Sequence, residues 1–208
     1  YWAWWSRAIL LNRYEAGVGK PYLDLLCILE GRDYFVLTTN VDHQFQLAGF
    51  DKARLFYTQG DYGLFQCSRN CSGETYDNER QVREMAELQK DQRVPSELVP
   101  RCPRCGAPMV PNLRIDGSFC EDRGWHEAAA RYRAFCEAHS GDRILYLELG
   151  VGDNTPVIIK YPFWNLTYQN PKATYACVNL QDAFAPKELQ KRSLCVTGDI
   201  GAILKALS

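Results

Sequence analysis

Two groups of residues in this chain have the types and spacing for chemistry. Cys67 and Cys71 have three residues between them, and Cys102-Pro-Arg-Cys105-Gly106 supplies a second, closer pair. Each pair can hold two corners of a tetrahedral thiolate site, with sulfur about 2.3 Å from zinc. The second pair is the stronger signal, because Pro103 and Gly106 favour the tight turn in which backbone N–H groups face the sulfurs. Four thiolates leave no open position for a reacting water, so the spacing predicts a structural metal. The plainer alternative is a chance grouping of reduced cysteines. The second group is polar. In Asp33-Tyr-Phe-Val-Leu-Thr-Thr-Asn-Val-Asp42 an apolar run ends abruptly in Thr38, Thr39, Asn40 and Asp42. That is the pattern of a buried parallel strand whose carboxyl end opens into a ligand crevice. Leu55-Phe-Tyr-Thr58 runs into Gln59-Gly60-Asp61 in the same way, so two neighbouring strands deliver polar groups to one place. Asn40 and Asp42 have a blander reading as turn residues that bond their own backbone.

The elements that must position these groups alternate between helix and strand. Trp2, Trp5 and Ile9 recur at helical spacing, which predicts a core helix over residues 2 to 15. Pro21 suits the first turn of a second helix, whose Tyr22, Leu25, Leu26 and Leu29 stripe ends before Gly31. A strand over Tyr34 to Leu37, a short helix after Asp42 and a strand over Leu55 to Thr58 follow. Beyond Gly63 the character changes: the two cysteine pairs flank Asp77 to Arg93, which reads as a solvated helix of alternating charge. A short strand at Asn112-Leu-Arg-Ile115, a helix over Gly124 to His139 and a strand over Ile144 to Leu149 come next. The last strand runs directly into Gly150-Val-Gly-Asp-Asn154. Further strands are expected at Tyr175 to Val178 and Ser193 to Val196, with Asp199 capping a final helix, Ile200 to Leu207. The alternation predicts an α/β fold with a Rossmann-like parallel sheet and an inserted zinc-ribbon module. The expected division is 1–63 with 107–208 for the sheet and 64–106 for the metal-binding part.

Composition sets outer limits. A chain of 208 residues can bury one sizeable core, and its net charge of -1 provides no field for nucleic acid or an anionic membrane surface. No apolar run approaches the roughly 20 residues of a membrane span. Nine cysteines, an odd number, with no secretion signal ahead of them, fit a reducing cytoplasm. Cys27, Cys120, Cys136, Cys177 and Cys195 stand alone, mostly among apolar residues, and are expected in the core. His43, His126 and His139 show no ligand spacing and are assigned no chemistry. Glu148 lies inside an apolar strand, where it needs a partner or an edge position.

The order of these motifs resembles the sirtuins: a Rossmann-like sheet interrupted by a four-cysteine zinc ribbon, with Thr38-Thr-Asn-Val-Asp42 before the ribbon and a glycine loop after it. Thr38-Thr-Asn-Val-Asp42 is similar to that family's Thr-Gln-Asn-Ile-Asp type motif, and Gly150-Val-Gly-Asp-Asn-Thr155 to its later small-residue loop. Val178-Asn179 and Gly198-Asp199-Ile200 resemble the two late segments that hold the adenosine half of NAD. The resemblance therefore implies NAD and zinc, with Thr39, Asn40, Asp42, Gln59, Gly150, Gly152, Asn179, Asp199 and Ile200 at the nucleotide. Ordinary sirtuins carry His-Gly where this chain has Gln59-Gly60, and that histidine is their general base. A glutamine amide hydrogen-bonds but has no useful proton affinity near pH 7. With Asn112-Leu-Arg114 and Tyr161-Pro-Phe-Trp164, the substitution makes the chain most like the macrodomain-linked microbial sirtuins. That likeness implies ADP-ribosyl transfer to a protein, a lipoylated carrier related to the glycine-cleavage H protein, with a macrodomain hydrolase as a second partner. Asn40, Gln59 and Arg114 would be catalytic: Asn40 orients ribose or water, Gln59 positions hydroxyls or the nucleophile, and Arg114 anchors an acidic group. Arg114 also has the ordinary reading of a surface cation, Asp199 of a helix cap and Asn179 of a strand-end turn. A protein-lysine deacylase and a non-catalytic, zinc-stabilised binding module remain the alternatives. The family's Gly-Ala-Gly phosphate loop is absent from these residues and is expected upstream of Tyr1.

Overall fold

A computed structural model describes residues 1–152 and 156–208. Helix α1, Trp2–Ile9, continues into a π-helical turn over Leu10–Tyr14, and α2 follows at Lys20–Ile28. Strand β1, Val36–Thr38, pairs in parallel with β2, Leu55–Tyr57, across the short helix α3, Gln44–Leu47. Strands β3, Gly60–Cys67, β4, Thr75–Asp77, and β5, Met109–Leu113, form an antiparallel sheet in the order β4-β3-β5, with α4, Glu79–Leu88, beside it. After α5, Arg123–Ala138, the chain makes a second parallel sheet from β6, Leu145–Leu149, β7, Thr174–Asn179, and β8, Ser193–Thr197. Helix α6, Lys160–Gln169, connects β6 to β7, and α7, Ile200–Leu207, follows β8.

The central parallel strand β7 is covered on both faces, which explains its near-continuous apolar sequence. Successive side chains of β6 point to opposite faces. Leu147 and Leu149 join a cluster built on Leu25, Ala48, Phe50 and Leu204, to which Val36 of β1 also belongs. One apolar layer therefore ties the two parallel sheets together. Tyr146 faces the other side, with Tyr175, Cys177, Phe163 and Trp164. Glu148 shares that face and has the partner its setting demands: Lys160 Nζ donates to it at 2.8 Å and Tyr175 Oη at 2.5 Å, all three side chains being buried. Lone charges are not tolerated at such depth, and removing one member of a buried pair typically costs about 3–5 kcal/mol. The pair fixes the start of α6 against β6.

Several sequence expectations are corrected by packing. The segment Asp77 to Arg93 is not a solvated helix throughout. Its helical part is shorter, and Val82 and Met85 are fully buried against Trp2, Ile9 and Phe65. Alternating charges occupy only the outer face, as in Arg80–Glu84 and Arg83–Glu79. Strand β1 begins at Val36 rather than Tyr34, because the Tyr34 carbonyl accepts from the Arg54 side chain instead of entering a ladder. Cys27 is exposed on the outer side of α2 and is not a core residue. Strands β3 and β4 and helix α6 were not anticipated. Glycines at 60 and 63 disguise β3, and Pro162 sits in the first turn of α6, where its missing N–H does no harm.

Gly60 is required by geometry. Its φ is +100°, and an added Cβ would lie 1.9 Å from the Asn112 carbonyl oxygen of β5. The clash is with backbone, which cannot step aside. Gly60→Ala is therefore expected to lower stability by roughly 3 kcal/mol, combining overpacking with left-handed strain. Denaturant unfolding monitored by tryptophan fluorescence checks this, and an unchanged midpoint would contradict the close approach.

Candidate functional site

The crevice forms where β1 and β2 end. Thr58 donates from its backbone to the Thr38 carbonyl at 2.9 Å, and Tyr62 N–H to the Val41 carbonyl at 3.0 Å, so the two polar tails run side by side. Thr38, Asn40, Val41, Asp42, His43, Gln44, Tyr57, Gly60 and Asp61 line a small concave pocket between them. Asn40 is exposed, its amide donating to Tyr22 Oη at 3.1 Å. Asp42 accepts from the Gln44 N–H at 3.2 Å, the turn-forming bond of the blander reading, while still lining the pocket. Thr39 is half-buried just beyond β1.

Gln59 and Arg114 are brought together from distant parts of the chain. The Arg114 N–H donates to the Gln59 carbonyl at 3.0 Å, and the Trp125 indole donates to the Thr58 carbonyl at 3.1 Å. Arg114 is no freely moving surface cation. Its guanidinium pairs with Glu121 and lies 4.3 Å from the Phe119 ring centroid and 5.5 Å from that of Trp125. Trp125 is placed by Asp122, which caps α5 by accepting from the Trp125 N–H at 2.8 Å and also accepts from the Thr75 hydroxyl.

The remaining nucleotide candidates gather at the carboxyl ends of β6, β7 and β8, where doubly wound folds place ligands. Gly150 N–H donates to the Val178 carbonyl at 2.9 Å and Gly198 N–H to the Asn179 carbonyl at 2.9 Å. Gly150 adopts a φ of +67° and packs closely on Ile200. Gly152 is exposed, with open space around it. The Asn179 amide holds the Val151 carbonyl at 3.2 Å and its oxygen accepts from Gln181 N–H, so it organises loops in the manner of a turn residue. Asp199 caps α7 through the Ala202 N–H at 2.7 Å. Asp153, Asn154 and Thr155 of the glycine loop lie outside the described residues. Tyr22 bridges the two groups of candidates, since it bonds Asn40 and packs in the cluster that contains Ile200.

The sequence reading missed three residues here: Arg13, His43 and the full role of Asp61. Asp61 is buried, and its Oδ1 accepts from Arg13 Nε at 2.8 Å and from the Gly63 N–H at 2.6 Å. Its Oδ2 lies 3.2 Å from His43 Nδ1. Burial pushes the Asp61 carboxyl up, but His43, the Arg13 charge and the Gly63 amide together outweigh it and hold the group below the usual carboxylate range. Gly63 leaves space for the pair, because a Cβ there would stand 2.9 Å from Arg13 Nε. His43 adopts φ +66°, a left-handed conformation that histidine tolerates better than most residues. A positive φ cannot be read from the sequence. The polar Asp61 after Gln59-Gly60 was the one visible signal.

At the other end of β3, Cys67, Cys71, Cys102 and Cys105 converge with all four sulfurs within 4.8 Å of one another. Cys67–Cys105 and Cys71–Cys102 sulfurs are each 3.6 Å apart, close to the ~3.8 Å edge of a tetrahedron with zinc–sulfur bonds of about 2.3 Å. Gly106, at φ +69°, donates to the Cys102 carbonyl at 2.8 Å and closes the second knuckle. Burial pushes the Cys67 thiol up, but the Cys71 and Arg69 N–H groups and adjacent thiols bring it down to about 6, while the neighbouring Cys105 and Cys102 sulfurs push the Cys71 thiol up to about 12. The four residues fit a closed, structural zinc centre.

Cys105→Ser is expected to reduce bound zinc from about one ion per chain to nearly none and to unfold the segment around the cysteines. Metal analysis with circular dichroism tests this, and an unchanged zinc content would rule out the four-thiolate assignment. The lowered pKa of Asp61 carries its own sign. A carboxyl whose folded pKa lies below its unfolded value, about 3.9, contributes stability that is fully present above that value. The contribution disappears as pH falls through the folded pKa. Asp61→Asn should therefore flatten the acid limb of the stability–pH profile below about pH 4. Equal slopes in both proteins would show the carboxylate to be unperturbed.

No family model matches the sequence. The chain is 40% identical over 205 residues to a protein ADP-ribosyltransferase of Staphylococcus aureus, a match spanning 98% of this chain and 65% of the relative. It is 30% identical over 188 residues to a Fusarium oxysporum f. sp. cubense protein named "Probable bifunctional ADP-ribose hydrolase/ADP-ribosyltransferase", spanning 85% of this chain and 31% of that one. The chain thus covers just under two thirds of the first relative's length and less than one third of the second's. Among solved structures it is similar to a sirtuin described in terms of substrate affinity, with a TM-score of 0.62 at 18% identity over 93% of this chain and 68% of that one. A mutant Sir2 homologue in complex with ADP ribose gives a TM-score of 0.61 at 16% identity, covering 99% and 71%. The chain thus has the fold of the sirtuins, with a four-cysteine cluster at the end of β3, and is similar in sequence to protein ADP-ribosyltransferases.

Proposed function

We propose that this chain is the core of an NAD-dependent protein ADP-ribosyltransferase of sirtuin type, acting in the cytoplasm on a lipoylated carrier related to the glycine-cleavage H protein. The observation that carries the reading is Gln59, whose carbonyl accepts from the Arg114 N–H and which directly precedes Gly60 of the pocket that presents Asn40 and Asp42. A site with an amide at that turn is better suited to orienting a nucleophile than to the usual deacylase proton transfer. The name of the Staphylococcus aureus relative, at 40% identity, points the same way.

In this reading NAD is a substrate that supplies an electrophilic ribose carbon. Thr39, Asn40, Asp42 and Gln59 hold its nicotinamide-ribose end, and Gly150, Gly152, Asn179, Asp199 and Ile200 its adenosine end. Asn40 orients the ribose, Gln59 the hydroxyls or the incoming group, and Arg114 an acidic part of the acceptor protein. Charge building on the ribose would be stabilised by groups already in place, which is where such sites gain most of their rate. Residues 1–63 and 107–208 would form the NAD-binding part and 64–106 the zinc-binding part. A macrodomain hydrolase that reverses the modification is the expected partner.

Incubation with NAD labelled in the adenosine moiety and a lipoylated carrier protein should transfer label to the carrier, and Asn40→Ala should abolish the transfer, by at least about 100-fold. NAD consumption that occurs only with an acetyl-lysine peptide would instead support a deacylase, and Gln59→His would then be expected to enhance it. Absence of NAD binding by calorimetry in the complete protein would leave only a zinc-stabilised binding module.

A further inference from the structure

We propose that His43 is the proton acceptor of the transfer reaction, held in position by Asp61 and Arg13, and that the acceptor on the target protein is a proton-bearing hydroxyl or amine. The inference rests on the transferase reading and names a group that the reading otherwise lacks, since Gln59 cannot take a proton. Three observations support it. His43 lines the pocket together with Asn40 and Asp42. Its Nδ1 is 3.2 Å from Asp61 Oδ2, and an ionised carboxylate only accepts, so Nδ1 carries the proton and Nε2 presents a lone pair. Among the described residues Nε2 has no hydrogen-bond partner, and the side chain remains 27% exposed where Asp61 is 8%. A base thus oriented by a buried carboxylate is the arrangement by which enzymes fix an imidazole's tautomer.

The charges around His43 are consistent with this role. Asp61 faces it from β3, Asp42 adjoins it in the chain, and Tyr57 faces the pocket from β2. Arg13 reaches the same carboxylate from the π-helical turn that follows α1, and π-helical turns occur frequently at functional sites. Because Arg13 neutralises much of the Asp61 charge, Asp61 positions the imidazole without taking its proton. In the step proposed, the acceptor's O–H or N–H bond breaks and its proton passes to His43 Nε2. The electron pair left on the acceptor's oxygen or nitrogen forms the new bond to the ribose carbon. The bond to nicotinamide breaks with its electron pair, and nicotinamide leaves uncharged. His43 then returns the proton to solvent.

The test uses the protein specified by the complete coding sequence. His43→Gln and, as a second variant, His43→Asn should lower kcat for transfer by about 100-fold or more, the usual contribution of a positioned base. NAD affinity by calorimetry, zinc content and melting temperature should change little. Wild-type activity should fall toward acid pH, and this limb should vanish in both variants. Nitrogen-15 spectra of the resting protein should show His43 as the Nδ1–H tautomer. Variants that transfer at wild-type rate, an unaltered pH limb, an Nε2–H tautomer or modification mapped to a carboxylate side chain would each overturn the proposal while leaving the transferase reading intact. A wild-type protein that transfers nothing under any condition would overturn both.

Discussion

A buried carboxylate is the constraint around which the crevice is arranged. Desolvated charge is costly unless donors surround it, and Asp61 obtains its donors from separate parts of the chain. Arg13 comes from the π-helical turn, His43 from the loop after β1, and the Gly63 amide from β3 itself. Each donor is thereby fixed in place, and so are the residues next to it. The loop from Asn40 to His43 is pinned at its far end by this bond and at its near end by the Thr38 hydroxyl, which accepts from the Asn40 N–H at 3.0 Å. The polar tail of β1 is consequently a defined wall of the pocket.

Strand β3 extends that order to the metal centre. It begins at Gly60 in the crevice and ends at Cys67 among the metal ligands. Its neighbour β5 lies so close at Gly60 that no side chain fits, and beyond Leu113 that strand's chain continues to Arg114 beside Gln59. Helix α4 of the intervening segment packs through Val82 and Met85 onto Trp2 and Ile9 of α1, the helix that leads into Arg13. Zinc chemistry and pocket geometry are joined through packed elements. The fit of the four sulfurs to a closed tetrahedral site agrees with a metal whose task is to hold this sheet.

What could be read from the sequence followed the strength of local pattern. The cysteine pairs and the cap at Asp199 are local and stand where expected, as do α2, β2, α5, β6, β7, β8 and α7 to within a few residues, whereas the strand expected over 112–115 is β5, Met109–Leu113. Strand β7 was recognisable because both of its faces are buried, leaving a run without polar interruption. Strand β3 was hidden, since Gly60 and Gly63 serve close approaches that only the folded neighbours reveal. Helix α4 looked solvated because two buried side chains among many charges are enough to dock it. Asn40 and Asp42, which line the pocket, were legible as the polar end of an apolar run. The pairing of His43 with Asp61 spans 18 residues and depends on a left-handed backbone, and neither property leaves a signature in spacing.

Two buried carboxylates show how similar costs lead to different uses. Glu148 is sealed between Lys160 and Tyr175, with side-chain exposures of 1% for Lys160 and 0% for Glu148, so no substrate can reach any member of the set. Its charge is fully matched by an ammonium, and what results is a fixed junction between β6 and α6. Asp61 is nearly as deep, and Arg13 balances its charge in the same way. Its second oxygen, however, is bonded to an imidazole that projects toward the pocket rather than into the core. A proton gained at the far nitrogen of that ring would be felt by the carboxylate through one hydrogen bond, whereas no proton from a substrate can gain access to Glu148. Burial of a charge is common to both; only in the second does the network end at a surface where a reactant can arrive.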